Sequence, residues 1–101
     1  MTDRLTIDRE ALAAFCRSNG IRKLSLFGSA LRDDFGPESD VDVLVEFEEG
    51  VRPSLLTLAG LEARLRPFFG GRRVDLGRPE DLHPALADRI MRSAERQYER
   101  A

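Results

Sequence analysis

Asp40 and Asp42 flank a single valine, and a third acid, Asp75, stands later in the chain between Val74 and Leu76. On an extended strand, residues i and i+2 project side by side, about 6.5–7 Å apart. Two carboxylates held that way, with no basic residue between them, repel each other. A divalent cation relieves that repulsion. Oxygen donors suit Mg²⁺, which usually takes one or two carboxylates together with substrate phosphates and water. If the strands carrying Asp42 and Asp75 pair, three carboxylates share one face of one sheet. That is the minimum needed to hold two metal ions for an in-line displacement at phosphorus. Each acid taken alone reads as well as ordinary solvated surface charge, so the weight lies in the combination.

Gly28-Ser29 supplies the phosphate side of such chemistry. A strand that ends in Gly and opens a helix leaves backbone N–H groups aimed outward, where they and the helix dipole bind phosphate. Gly lets a phosphate approach the backbone closely. Ser29 adds a hydroxyl donor, and Arg32, one helical turn on, adds a bidentate contact to phosphate oxygens.

The elements that must position these residues are legible in order. Asp8 caps a first helix, with Ile7 and Leu12 at the two positions of a hydrophobic staple. Its apolar stripe is Ala11, Leu12, Phe15 and Cys16, and Asn19-Gly20 stops it. Residues 21–27 read as a strand and 29–33 as a short helix, followed by turn chemistry over 35–39. Residues 40–48 are the clearest strand: Val41, Val43, Val45 and Phe47 alternate with a set that begins with the two acids. A Leu-rich amphipathic helix is expected over 54–69, distorted near its end by Pro67. A short strand over 72–76 carries Asp75, and a last helix is expected over 84–98 through Ala87, Met91, Ala94 and Tyr98. This order predicts an α/β fold, a small mixed sheet covered by helices.

Composition bounds the rest. The chain has 101 residues, a formal net charge of −2, and a single Cys. That length suits one domain spanning 1–101. One Cys excludes an internal disulfide. A near-neutral chain is not a bulk electrostatic binder of nucleic acid, and no direct DNA binding is expected. No apolar run reaches the length of a membrane span, and the first residues lack the order of a signal peptide. A cytoplasmic protein with no membrane association is the expectation.

Residues 28–45, read as G-S, ten residues, then D-x-D and an apolar alternation, resemble the signature of the DNA polymerase beta-like nucleotidyltransferases. Within that superfamily the chain is most similar to the minimal nucleotidyltransferases. Arg73-Val74-Asp75-Leu76 resembles the family's third-carboxylate strand, and the segment from Leu86 to Arg92, with Tyr98, resembles its C-terminal helix. The resemblance covers roughly residues 20–98.

It implies transfer of AMP from ATP, with two Mg²⁺ ions, to a protein hydroxyl. The acceptor it points to is a tyrosine of a cognate HEPN-domain toxin, with this chain as the antitoxin, alone or in a homo- or hetero-oligomer. By position, Asp40, Asp42 and Asp75 would be catalytic and bind the metals, and Asp75 would help deprotonate the acceptor. Gly28, Ser29, Arg32 and Ser39 would hold the nucleotide. Asp33 stands where the family often has Gly. The alternative is a non-catalytic antitoxin that neutralises its toxin by binding alone.

Five further features have plain structural readings. Cys16 reads as a small buried hydrophobe, His83 as a residue at a helix start, Tyr98 as a packed helix residue, and Glu46, Glu48 and Glu49 as solvated edge charge. Leu55, Leu56, Leu58 and Leu61 read as core, with one side open to a partner.

Overall fold

A computed structural model describes residues 7–28 and 40–100. Three α-helices and four strands follow the order α1 (Arg9–Ser18), β1 (Ile21–Phe27), β2 (Val41–Phe47), α2 (Leu55–Leu65), β3 (Val74–Gly77), α3 (Pro84–Ser93) and β4 (Glu95–Glu99). The expected short helix and turn over 29–39 lie outside the described residues.

The local signals work as their chemistry requires. Asp8 caps α1 by accepting from the backbone N–H of Ala11 at 3.0 Å. Gly20 follows with φ +69°, a left-handed conformation that glycine adopts without a Cβ clash. Ser54 caps α2, its hydroxyl accepting from Thr57 N–H at 3.1 Å. The α-helix then ends at Leu65, short of the expected 69, and Arg66–Phe69 tighten into a 3₁₀ turn around Pro67. Proline at that point removes a helical N–H and clashes with the preceding turn.

The sheet order is β3-β2-β1-β4. β1 runs antiparallel to both β2 and β4, and β2 runs parallel to β3. A parallel pair needs a crossover, which α2 provides. One face of the sheet carries the core: Leu24, Leu26, Val41, Val43, Val45 and Val74 pack with Leu12 and Cys16 of α1, with Leu65 of α2, and with Phe69. Period-two alternation places that set together and turns the other face toward α3.

Two expectations about the last third need correction. The helix expected over 84–98 ends at Ser93, and Glu95–Glu99 form a fourth strand. Ala94 turns the backbone to φ −64°, ψ 140°, and β4 then pairs along β1, with Leu24 opposite Tyr98. Without β4, β1 would present an unpaired edge of backbone donors and acceptors. Tyr98 packs against the core as expected, but as a strand residue. The Leu-rich helix also divides: Leu61 and Leu65 are buried, whereas Leu55 and Leu56 at its start are 85 % and 84 % exposed. Two of the acids at the end of β2 and just beyond it pair with arginines. Glu46 accepts from Arg22 at 2.6 Å and Glu48 from Arg100 at 2.5 Å.

Candidate active site

Adjacent strands assemble the site. Phe27, the last residue of β1, is opposite Asp42 on β2, and Asp42 is opposite Asp75 on β3. Directly opposed residues project to the same face of a sheet, and neighbouring strands lie about 4.8 Å apart. Asp42 and Asp75 therefore stand side by side on the face that does not carry the core. Asp40 lies one residue before β2 and is exposed.

Gly28 completes the row. Its φ of +64° favours glycine. A Cβ at this position would sit 2.5 Å from Oδ2 of Asp42 and 3.3 Å from its carboxyl carbon. The missing side chain leaves a cradle directly against a carboxylate. An L-residue there would fill it.

The neighbouring acids act on Asp75. The pKa of Asp75 is raised, first by partial desolvation, then by the negative charges of Asp42, Glu62 and Asp40. No group of three His, Cys, Asp or Glu side chains among the described residues is arranged to close on one metal ion. Two facing carboxylates beside an open cradle still fit Mg²⁺, which commonly completes its shell with phosphate oxygens and water.

α3 borders an open cleft next to Gly28. Phe27 and Gly28 face Leu86, Arg89, Ile90 and Ser93 of α3 across an open cleft. Further down the same sheet face, Ser25 and Leu44 line a small recess with Met91 and Arg96.

The nucleotidyltransferase domain family matches residues 8–96, nearly the whole chain. The chain belongs to this family. The nucleotidyltransferase is 41 % identical over 73 residues to protein adenylyltransferase MntA of Thermococcus cleftensis, covering 72 % of this chain and 71 % of that one. A solved structure described provisionally as a minimal nucleotidyltransferase superposes with a TM-score of 0.68 at 37 % identity, covering 85 % of each chain. A toxin–antitoxin crystal structure with AMP-PNP shares the fold, with a TM-score of 0.72 at 17 % identity over 93 % of this chain and 75 % of that one.

Of the residues singled out from the sequence, this nucleotidyltransferase brings Gly28, Asp42 and Asp75 together, with Asp40 at the adjoining end of β2. Ser29, Arg32 and Ser39 lie outside the described residues. His83 caps α3, its Nδ1 accepting from Ala85 N–H at 3.3 Å. Cys16 is buried, and burial pushes its thiol up to about 12, so it carries no thiolate at neutral pH. Tyr98 lies on β4, at the opposite edge of the sheet from β3.

Two contributors escaped the sequence. The α3 side of the cleft did, because its apolar residues read as core. Glu62 on α2 did as well. Its only sequence signal is an acid beside the Leu61 and Leu65 stripe, on the helix that precedes the Asp75 strand.

Proposed function

We propose that this nucleotidyltransferase uses Mg²⁺ to transfer AMP from ATP to a protein hydroxyl, a tyrosine of a partner HEPN-type toxin, and that it acts as the antitoxin. The observation that carries the reading is the register that sets Asp42 opposite Asp75 beside the cradle at Gly28. The protein adenylyltransferase name of the Thermococcus relative supports AMP as the transferred group. The toxin–antitoxin neighbour with AMP-PNP supports a nucleotide donor and a protein partner. ATP as donor and a toxin as acceptor belong to the cytoplasm, with the two chains in a hetero-oligomer.

Asp40, Asp42 and Asp75 would hold Mg²⁺. When bound, Mg²⁺ supplies positive charge that offsets the phosphates and the charge developing at the α-phosphorus. The backbone at Gly28, with Ser29, Arg32 and Ser39, binds the triphosphate. The acceptor hydroxyl oxygen bonds to the α-phosphorus as the bond to the bridging oxygen of the β-phosphate breaks. Pyrophosphate leaves with that electron pair, and Asp75 receives the hydroxyl proton.

The test is label transfer from α-labelled ATP, with Mg²⁺, to the co-purified partner. Replacing both Asp40 and Asp42 by Ala should lower transfer by roughly three orders of magnitude or more, with the fold intact by circular dichroism. Undiminished transfer by that double variant would overturn the reading. A double variant that fails to transfer yet still neutralises the toxin fully would make binding alone the antitoxin's means of action.

A further inference from the structure

β3 is a four-residue strand at the edge of the sheet formed by the described residues, and among them only its inner side pairs with another strand. In a parallel ladder the backbone groups of alternate residues point to the neighbouring strand. The carbonyl of Arg73 accepts from Val41 N–H at 2.8 Å. By alternation, the backbone groups of Asp75 point toward β2 and those of Leu76 point away, to the free edge. There the N–H of Leu76 donates to Oε2 of Glu62 on α2 at 2.9 Å.

This hydrogen bond does two things at once. It satisfies a donor that would otherwise lie open on the edge. It also fastens β3 to the helix on its outer side, one residue past Asp75. With β2 on one side and Glu62 on the other, the strand cannot slide or lift without breaking a charge-assisted contact. The Glu62 carboxylate is near enough to Asp75 to act on it electrostatically. An acid in that place adds repulsion to a site already crowded with acids, so an apolar or amide side chain would be easier to accommodate unless the hydrogen bond matters.

We propose that Glu62 is the positioning residue of the third carboxylate: by capping Leu76 N–H it holds Asp75 in register opposite Asp42. The proposal rests on the reading of Asp42 and Asp75 as ligands of a divalent cation. Groups that orient a ligating carboxylate from behind typically change metal affinity or activity by about 10–100-fold when removed.

The experiment compares wild type with Glu62→Ala, Glu62→Gln and Asp75→Asn in the full chain. Mn²⁺ alone, followed by electron paramagnetic resonance, reports affinity, and amide exchange by NMR reports the Leu76 N–H. Glu62→Ala should weaken Mn²⁺ binding about tenfold and release the Leu76 amide to exchange. Glu62→Gln keeps a carbonyl acceptor and should restore both, to within about threefold in affinity. Because the exchange readout needs no ligand, it also checks that each variant is folded.

Equal Mn²⁺ affinity in wild type and Glu62→Ala would overturn the positioning role alone. So would equal losses in the Ala and Gln variants, since that pattern belongs to lost charge and not to a lost cap. Unchanged affinity in Asp75→Asn, or no Mn²⁺ uptake by wild type, would overturn the cation reading and the positioning role with it.

Discussion

At the scale of single residues, the site is defined as much by an absent side chain as by the acids. Gly28 combines a positive φ with a Cβ position 2.5 Å from Asp42 Oδ2. Gly28→Ala meets both obstacles. The left-handed backbone costs an L-residue about 1–2 kcal/mol. The methyl must also displace the Asp42 carboxylate. Urea unfolding should therefore report a loss of about 1–2 kcal/mol, while AMP transfer should fall by about 100-fold, since a shift near 1 Å at reacting groups has that effect. Full activity in a destabilised Gly28→Ala protein would separate the glycine from the site.

Asp75 makes the second residue-scale prediction. Its folded pKa is raised, by desolvation first and by Asp42, Glu62 and Asp40 after it. A raised carboxyl contributes stability that is fully present below the ordinary carboxylate pKa and is lost as pH rises through the folded value. In chelator, the charged Asp75 thus weighs against folding at neutral pH. Thermal melts should show Asp75→Asn more stable than wild type at pH 7, with the gap closing toward pH 4. A variant less stable than wild type at pH 7 would contradict the crowding of charges.

At the scale of elements, the parts set by local chemistry were legible and those set by long-range pairing were not. Caps, the alternation of β2 and the stripe of α1 depend on residues within a few positions, so Asp8, Val41-Val43-Val45 and Leu12 announce themselves. The segment 95–99 does not. Glu95, Arg96 and Gln97 favour a helix on their own, and Ala87, Met91, Ala94 and Tyr98 keep helical spacing. What makes the segment a strand is the edge of β1, far away in sequence, and the core contact of Tyr98. Asp42 and Asp75 could be expected side by side from the sequence because each sits on a strand, and the β2–β3 register pairs them. Glu62 could not be, because its role depends on which side of β3 is left free. Tyr98→Ala should cost about 2–3 kcal/mol by thermal or urea unfolding, at the low end for a half-buried ring. It should leave KM for ATP unchanged, because β4 and β3 lie at opposite edges. A large change in KM at equal folded fraction would place Tyr98 within reach of the nucleotide.

At the scale of the whole molecule, the sheet divides the labour between its faces. Leu24, Leu26, Val41, Val43, Val45 and Val74 face α1 and α2, while Asp42 and Asp75 face away from them on the other side of the sheet. The sheet order adds a further consequence. β2 follows β1 directly among the strands of the chain, but the other edge of β1 is covered by Glu95–Glu99, which come much later in the sequence. Until β4 is in place, β1 has a bare edge at Leu24 and Leu26, the kind of surface that recruits other chains. The last strand of the sheet therefore also serves as a shield, closing the edge of β1 that would otherwise invite pairing with another chain.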